Sequence, residues 1–167
     1  MVSNFKFKNV AIYSSTKDKR VISIADQVVE VLSSLGINCL FPDSSTIGNK
    51  LLNKTSTEQN IIKRSDLVIA IGGDGTLLSS ARKFGYYDVP VLGINLGKLG
   101  FLTDIPPADL TFSLNEIMKG NFIEDKRVFL EARIEGKKEK YKALNEIVLH
   151  SGSIAQLIEY DLFIDDE

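Results

Sequence analysis

The sequence predicts an α/β fold, in which a doubly wound (Rossmann-like) domain is followed by the start of a β-rich, antiparallel domain. Two observations support this prediction. Over residues 1–104, short and nearly continuous apolar runs alternate with segments of helical periodicity, as in parallel sheets covered on both faces. Beyond residue 120 the pattern is that of strands without helices between them, which favours antiparallel pairing. We therefore predict an α/β domain at residues 1–104 and an incomplete β-rich domain at 105–167.

The elements of the first domain follow from these runs. Residues 9–15 (NVAIYSS) are apolar and rich in strand formers, and residues 18–35 carry apolar side chains at helical spacing up to Gly36, which predicts the end of that helix. Turn-forming residues dominate 42–55. The other predicted elements are a strand at 37–41, a weaker helix at 57–65, a strand at 67–71, a helix at 76–84 and a strand at 89–95.

The second part of the chain begins with an amphipathic helix predicted at 110–119. Residues 127–134 and 139–150 alternate in strand fashion and flank the turn sequence at 135–138 (EGKK), which is a hairpin signal. Residues 155–164 are predicted to form a third β-segment. Three strands make a thin sheet without an obvious partner layer, so we expect this domain to be incomplete.

Composition and charge restrict the class of protein. The 167 residues include 20 Lys and Arg against 22 Asp and Glu, so no basic excess indicates a nucleic acid or an anionic membrane as partner. No apolar run has the length of a signal peptide or a membrane span. Cys39 is the only cysteine, which excludes an intramolecular disulfide and fits a reducing compartment. We therefore expect a cytoplasmic protein without nucleic acid or membrane partners.

The most informative motif is residues 71–76 (IGGDGT), directly after a predicted strand and directly before a predicted helix. Gly72, Gly73 and Gly75 are expected to allow positive φ angles and a close approach of backbone N–H groups to a phosphate. Asp74 could then accept a proton from an attacking hydroxyl or reach a Mg²⁺ ion on the donor phosphates. The alternative is a tight turn in which Asp74 only caps the helix. The complete motif, including Thr76, favours phosphoryl transfer.

Two further clusters follow. Residues 93–103 (GINLGKLGFLT) contain three glycines, Asn95 as both donor and acceptor, and Phe101, which could face an aromatic base; a domain-crossing loop is an equal alternative. Asn145 and Glu146 are adjacent polar residues in a predicted strand that is otherwise apolar, so they are expected on opposite faces. A ligand could satisfy one of them, although an edge strand with solvated polar groups explains the pair more simply.

Taken in order, the three motifs resemble those of bacterial-type NAD kinases, which phosphorylate the 2′-hydroxyl of the adenosine ribose of NAD. The resemblance covers essentially the whole chain: residues 72–76 match the family signature, residues 93–104 (GINLGKLGFLTD) are close to its second motif, and residues 144–150 (LNEIVLH) match its Asn-Glu strand. It implies an α/β domain followed by a β-rich domain with NAD between them, a homodimer or homotetramer, and ATP with a divalent metal, expected to be Mg²⁺, as phosphate donor.

The resemblance also implies roles for individual residues. Asp74 would be the catalytic residue that activates the 2′-hydroxyl, and Phe101 would pack in the NAD pocket. Asn145 and Glu146 would hold the dinucleotide by hydrogen bonds. The remaining residues implied in nucleotide binding are those of the two glycine-rich motifs, Gly72, Gly73, Gly75, Thr76 and Asn95.

The resemblance ends before a later family segment. Members of the family continue with a second Asp-Gly turn and a Thr-Pro-Thr-Gly-Ser-Thr-Ala-Tyr segment, neither of which occurs in these 167 residues. We therefore expect a chain truncated at its C-terminus that lacks one wall of the cleft. Because positioning can supply about 7 to 11 kcal/mol of a catalysed barrier, such a chain is expected to be impaired when alone.

Two alternatives to NAD kinase remain at this point. A diacylglycerol- or sphingosine-type lipid kinase of the same superfamily also carries Gly-Gly-Asp-Gly-Thr, but it would be expected to have Gly-Thr-Gly-Asn-Asp after the next strand, where this chain has residues 93–97 (GINLG). The other alternative is a non-catalytic nucleotide-binding remnant, which the missing segment suggests. Binding of NAD without turnover would favour the remnant.

Overall fold

The computed structural model describes residues 5–16, 18–47, 56–96, 102–103, 105–150, 152, 157 and 159–165. Its first part alternates strands and helices, and its second part contains a helix and a β-hairpin. The strands are β1 (Asn9–Tyr13), β2 (Asn38–Leu40), β3 (Leu67–Gly72), β4 (Val91–Asn95), β5 (Leu130–Arg133) and β6 (Lys140–Ala143). The α-helices of the described residues are α1 (Arg20–Ser34), α2 (Glu58–Ile62), α3 (Asp74–Phe84) and α4 (Leu110–Lys119), and 3₁₀ turns lie at Gly85–Tyr87 and Pro107–Asp109.

The first four strands form one parallel sheet in the order β2-β1-β3-β4, which confirms the predicted α/β class. Alternate residues of each strand face opposite layers, as the pleat requires. On one face, Val10, Ile12 and Ile69 pack with α1 and α4. On the other face, Ala11 and Val68 pack with residues of α2 and α3. Helices therefore cover both faces, as the continuous apolar strands predict.

The ends of the helices have local causes. Gly36 follows α1 with φ 74°, and Gly120 follows α4 with φ 96°, a left-handed conformation that glycine adopts at low cost. The third helix begins at Asp74, two residues before the predicted start at Thr76, so Asp74 belongs to the helix and not to the turn before it. None of the helices in the described ranges is both long enough and apolar enough to cross a bilayer.

The β-rich part differs from the prediction. The hairpin of β5 and β6 is present and antiparallel, with the pair Leu130 and Ala143 at one end of its register. The strand predicted at 139–150 ends at Ala143, and the described residues of 155–164 form no strand, so these two predictions are wrong. An apolar alternating segment needs a neighbouring strand to satisfy its backbone, and no third strand pairs with the hairpin in the described residues.

The hairpin region contacts the 3₁₀ turn that follows α3, through the ring of Tyr86. Phe129, just before β5, packs edge-on against Tyr86 with a centroid distance of 6.3 Å. The ammonium group of Lys142 lies 3.0 Å from the centroid of the same tyrosine ring. Residues of α4, in contrast, are buried in the core with α1. The predicted domain boundary between residues 104 and 105 stays a prediction.

Candidate functional site

The candidate site lies where the carboxyl ends of three parallel strands meet. Tyr13 of β1 pairs in register with Ala70 of β3, and Gly72 at the end of β3 pairs with Asn95 at the end of β4. In open α/β sheets, this is the edge at which ligands bind. The structure thus brings the first motif, residues 72–76, directly beside Asn95 of the second.

The glycines of the first motif matter because they have no side chain, and not because they adopt unusual dihedral angles. The positive-φ glycines of the described residues are elsewhere, and Gly73 has φ −109°, so the expectation of positive φ at the motif is wrong. A Cβ at Gly72 would lie 2.6 Å from the Cβ of Thr76, whereas Gly73 and Gly75 have nothing within 4 Å of such an atom. Gly72 therefore permits a tight strand-to-helix turn, and Gly73 and Gly75 leave open space in front of it.

Thr76 is buried and faces the protein. Its hydroxyl lies 3.3 Å from the hydroxyl of Ser15, in the loop after β1. Two residues before Ser15, at the end of β1, the hydroxyl of Tyr13 lies 3.1 Å from that of Ser79 in α3. These contacts link the end of β1 to α3. Thr76 is thus placed to support the turn around Gly72.

Asp74 is the first residue of α3 and is half-buried. Its Oδ1 accepts a hydrogen bond from the backbone N–H of Leu102 at 3.2 Å and one from the hydroxyl of Thr103 at 3.4 Å. Both donors belong to the second motif and not to the first turn of α3. The alternative in which Asp74 serves only as a cap of its own helix does not account for these two contacts.

The chain returns to β4 directly after the second motif, where Ile105 makes backbone hydrogen bonds with that strand. The N–H of Asn95 donates to the carbonyl of Ile105 at 2.9 Å, and the N–H of Ile105 donates to the carbonyl of Gly93 at 3.4 Å. In addition, Leu96 donates to the carbonyl of Gly72 at 3.1 Å, which joins the two motifs directly. Asn95 is only 3% exposed, so its side chain lies within the protein. Phe101 lies outside the described residues.

Asn145 and Glu146 lie outside β6 and are exposed. The expectation of two polar residues on opposite faces of a strand is therefore wrong, since the strand ends two residues earlier. The neighbouring Leu144 lines a groove of about 530 Å³ along the edge of β4. Gly93 and Leu102 line the same groove, which thereby extends from the contact partner of Asp74 to the residue before Asn145.

The remainder of the groove has an apolar base and charged residues at one side. Glu124, Asp125 and Arg127 provide the charges. The apolar lining includes Phe7, Leu77, Ala81, Phe122 and Phe129. The volume of the groove is within the range of small-molecule pockets.

The residues present fit a metal ion only as part of a nucleotide complex. The described residues contain no group of three or more His, Cys, Asp or Glu side chains that could hold a metal alone. Mg²⁺ commonly takes one or two carboxylates and completes its shell with waters and substrate phosphates. Asp74 can supply one such carboxylate at the carboxyl edge of the sheet.

The sequence analysis did not predict three groups of the site: the N–H of Leu102, the hydroxyl of Thr103 and the hydroxyl of Ser15. Leu102 and Thr103 lie within the second motif, yet the sequence gives no sign that they contact Asp74. For Ser15 a signal was available, because it closely follows the apolar strand β1, which neighbours the motif strand β3.

A family model described as the ATP-NAD kinase N-terminal domain matches residues 6–122. The NAD kinase of Teredinibacter turnerae is 39% identical over 153 residues, which are 89% of this chain and 50% of that protein. The NAD kinase of Acinetobacter baylyi is 36% identical over 165 residues, 96% of this chain and 54% of the relative. An Escherichia coli NAD kinase is 34% identical over 167 residues, 98% of this chain and 57% of the relative. The chain thus spans about half the length of these curated relatives.

Solved structures agree on the fold. The crystal structure of yeast NADH kinase complexed with NADH superimposes with a TM-score of 0.67 at 23% identity. The aligned region covers 84% of this chain and 44% of the yeast chain. The crystal structure of an NAD kinase from Archaeoglobus fulgidus in complex with ATP gives a TM-score of 0.51, also at 23% identity. Here the aligned region covers 74% of this chain and 41% of the Archaeoglobus chain. At this level of identity the likeness concerns the fold.

Proposed function

Because the chain belongs to the ATP-NAD kinase family, we propose that its protein transfers the γ-phosphoryl group of ATP to the 2′-hydroxyl of the adenosine ribose of NAD, which yields NADP. The observation that carries the proposal is the position of Asp74. It lies at the carboxyl edge of the sheet, in the first turn of an eleven-residue helix, and its carboxylate is held by the second motif. A carboxylate held at such an edge suits a general base.

The proposed reaction is a direct displacement at phosphorus. Asp74 accepts the proton of the 2′-hydroxyl while the ribose oxygen forms a bond to the γ-phosphorus, and the bond from that phosphorus to the bridging oxygen breaks to release ADP. The partial positive charge at the start of α3 favours the phosphate groups there. Gly73 and Gly75 have no atom within 4 Å of an added Cβ, so phosphates can approach the backbone closely.

The proposed nucleotide contacts beyond Asp74 follow the family resemblance. Asn95 lies beside Gly72 at the strand ends, and Asn145 and Glu146 lie next to the groove residue Leu144. Phe101 is proposed to pack against NAD. A divalent ion, expected to be Mg²⁺, would accompany the phosphates and neutralise their charge; in the alternative to the proton-acceptor role, Asp74 would be one of its ligands. We also propose a cytoplasmic location and, for the complete protein, a homodimer or homotetramer.

The test uses the purified whole protein with ATP, Mg²⁺ and NAD, and it detects NADP by mass spectrometry. The whole wild-type protein is expected to form NADP, whereas residues 1–167 alone are expected to be impaired. Asp74→Asn is expected to lower kcat by orders of magnitude and to change NAD affinity less, because it removes the proton acceptor and keeps the shape. Asp88→Asn, an aspartate in the turn after α3, is the matched control.

Titration calorimetry and a lipid substrate distinguish the alternatives. NAD binding without any NADP would support the non-catalytic remnant. Phosphorylation of diacylglycerol in vesicles, without NAD binding, would support the lipid kinase. Near wild-type kcat in Asp74→Asn would reject the proposed role of Asp74.

A further inference from the structure

We infer that Thr103 is a positioning residue for Asp74, an inference that rests on the proposed phosphoryl transfer. The Thr103 side chain is 1% exposed, and its hydroxyl lies 3.4 Å from Oδ1 of Asp74. The N–H of Leu102 lies 3.2 Å from the same oxygen. Two donors from one segment thus converge on one carboxylate oxygen. A proton acceptor is effective only in a fixed orientation, and these donors restrict the rotation of the carboxylate.

The packing of the Thr103 methyl group against β4 holds the threonine hydroxyl in place. A Cβ at Gly93 would lie 2.8 Å from Cγ2 of Thr103 and 3.2 Å from its Cα, so the threonine packs directly on the backbone of β4. The same added atom would lie 3.0 Å from Leu77 of α3. Gly93 therefore lets the threonine fit between β4 and α3. The strand thus positions Thr103, and Thr103 positions Asp74.

The length of the hydrogen bond between Thr103 and Asp74 indicates that it positions the carboxylate and does not stabilise the fold. The 3.4 Å separation exceeds the ordinary O–H···O range of about 2.5 to 3.0 Å, so the contact contributes little to the stability of the folded state. Catalytic hydrogen bonds are often long without substrate and shorten in the reacting complex. Loss of the Thr103 hydroxyl should therefore affect the reaction more than the fold. The hydroxyl only donates to Asp74, and it takes no part in the transfer of the proton.

Two substitutions separate the hydroxyl from the methyl group. Thr103→Val keeps the packing against Gly93 and removes the hydroxyl, whereas Thr103→Ser keeps the hydroxyl and removes the methyl group. In the NADP assay, we expect Thr103→Val to lower kcat about ten- to a hundredfold with little change in KM for NAD. Thr103→Ser should restore most of kcat. Thr111→Val, at an exposed position of α4, is the control.

Amide hydrogen exchange at Leu102 is a second measurement, and it does not depend on enzymatic turnover. Its N–H donates a hydrogen bond to Asp74, so we expect exchange to be several-fold faster in Thr103→Val and close to wild type in Thr103→Ser. Wild-type kcat and wild-type exchange in Thr103→Val would overturn the inference, as would equal losses in both variants. If the whole wild-type protein forms no NADP, the proposed function fails, and the exchange rates alone then decide whether Thr103 positions Asp74.

Discussion

Gly72, the last residue of β3, and Thr76 of α3 are packed so closely that no side chain fits between them. A Cβ added at Gly72 would lie 2.6 Å from the Cβ of Thr76, closer than such atoms approach in proteins. Thr76 cannot withdraw easily, because it is buried and its hydroxyl contacts Ser15. The glycine that opens the motif is therefore required by packing in the fold itself.

We expect Gly72→Ala to lower the free energy of unfolding by about 1 to 3 kcal/mol, since the new methyl group overpacks the turn between β3 and α3. Urea denaturation followed by circular dichroism measures this change. Gly73→Ala is the matched control, because Gly73 has an ordinary φ of −109° and nothing within 4 Å of an added Cβ. Equal stability of Gly72→Ala and wild type would show that the turn can widen.

The regular part of this fold could be predicted from the sequence because its strands are buried on both faces. Strand β3 is buried at every residue, and such a continuous apolar run indicates a parallel sheet covered on both faces. The helix predicted at 110–119 has the predicted bounds. The start of α3 was missed because Gly73 and Gly75 indicated a turn, whereas the helix already begins at Asp74.

The errors in the β-rich part have a different physical cause. Alternation at 139–150 indicates a strand, but a strand needs a neighbour to bond with, and the described hairpin provides one only as far as Ala143. Similarly, the contact between Asp74 and Thr103 joins residues 29 positions apart. Local patterns give no information on such a pairing. Periodicity thus predicted the elements, and the contacts of the site required the structure.

We expect Asn145→Ala to weaken NAD binding about tenfold, if the proposed function holds, because a polar group of the dinucleotide would lose its partner. Titration calorimetry with NAD measures the change in affinity. Asn145 is exposed in the described structure, so stability should be unaffected. Lys138→Ala, in the exposed turn between β5 and β6, is the control for nonspecific effects. Unchanged affinity would leave Asn145 a solvated surface residue.

We expect Cys39 in β2 to react slowly with thiol reagents while the protein is folded. Burial raises the pKa of the Cys39 thiol to about 11, so the thiolate fraction at pH 8 is about a hundredfold lower than for an ordinary cysteine. The rate of modification by a disulfide reagent, measured with increasing urea, should rise through the unfolding transition. A native rate equal to the unfolded rate would mean that β2 is open to solvent.

The last prediction concerns Glu58, which links the loop after β2 to α3. One carboxylate oxygen accepts hydrogen bonds from the Ser44 hydroxyl at 2.5 Å and from the Lys83 ammonium at 2.6 Å. Partial burial raises the pKa of Glu58, but the hydrogen bonds from Lys83 and Ser44 and the attraction of the Lys83 charge outweigh it, so the pKa is lowered overall. Lys83 also lies 5.5 Å from the centre of the Tyr13 ring.

A lowered pKa in the folded state means that this interaction stabilises the protein above the ordinary glutamate pKa of about 4.3 and is lost as the pH falls through the lower folded value. Glu58→Gln should therefore lower the free energy of unfolding by about 1 kcal/mol at pH 7, and the difference from wild type should disappear on acidification. Urea denaturation at a series of pH values measures both. Glu116→Gln, at a solvent-exposed pair with Lys119, is the control and should change stability less. A pH-independent difference at Glu58 would indicate lost packing and not a lost charge.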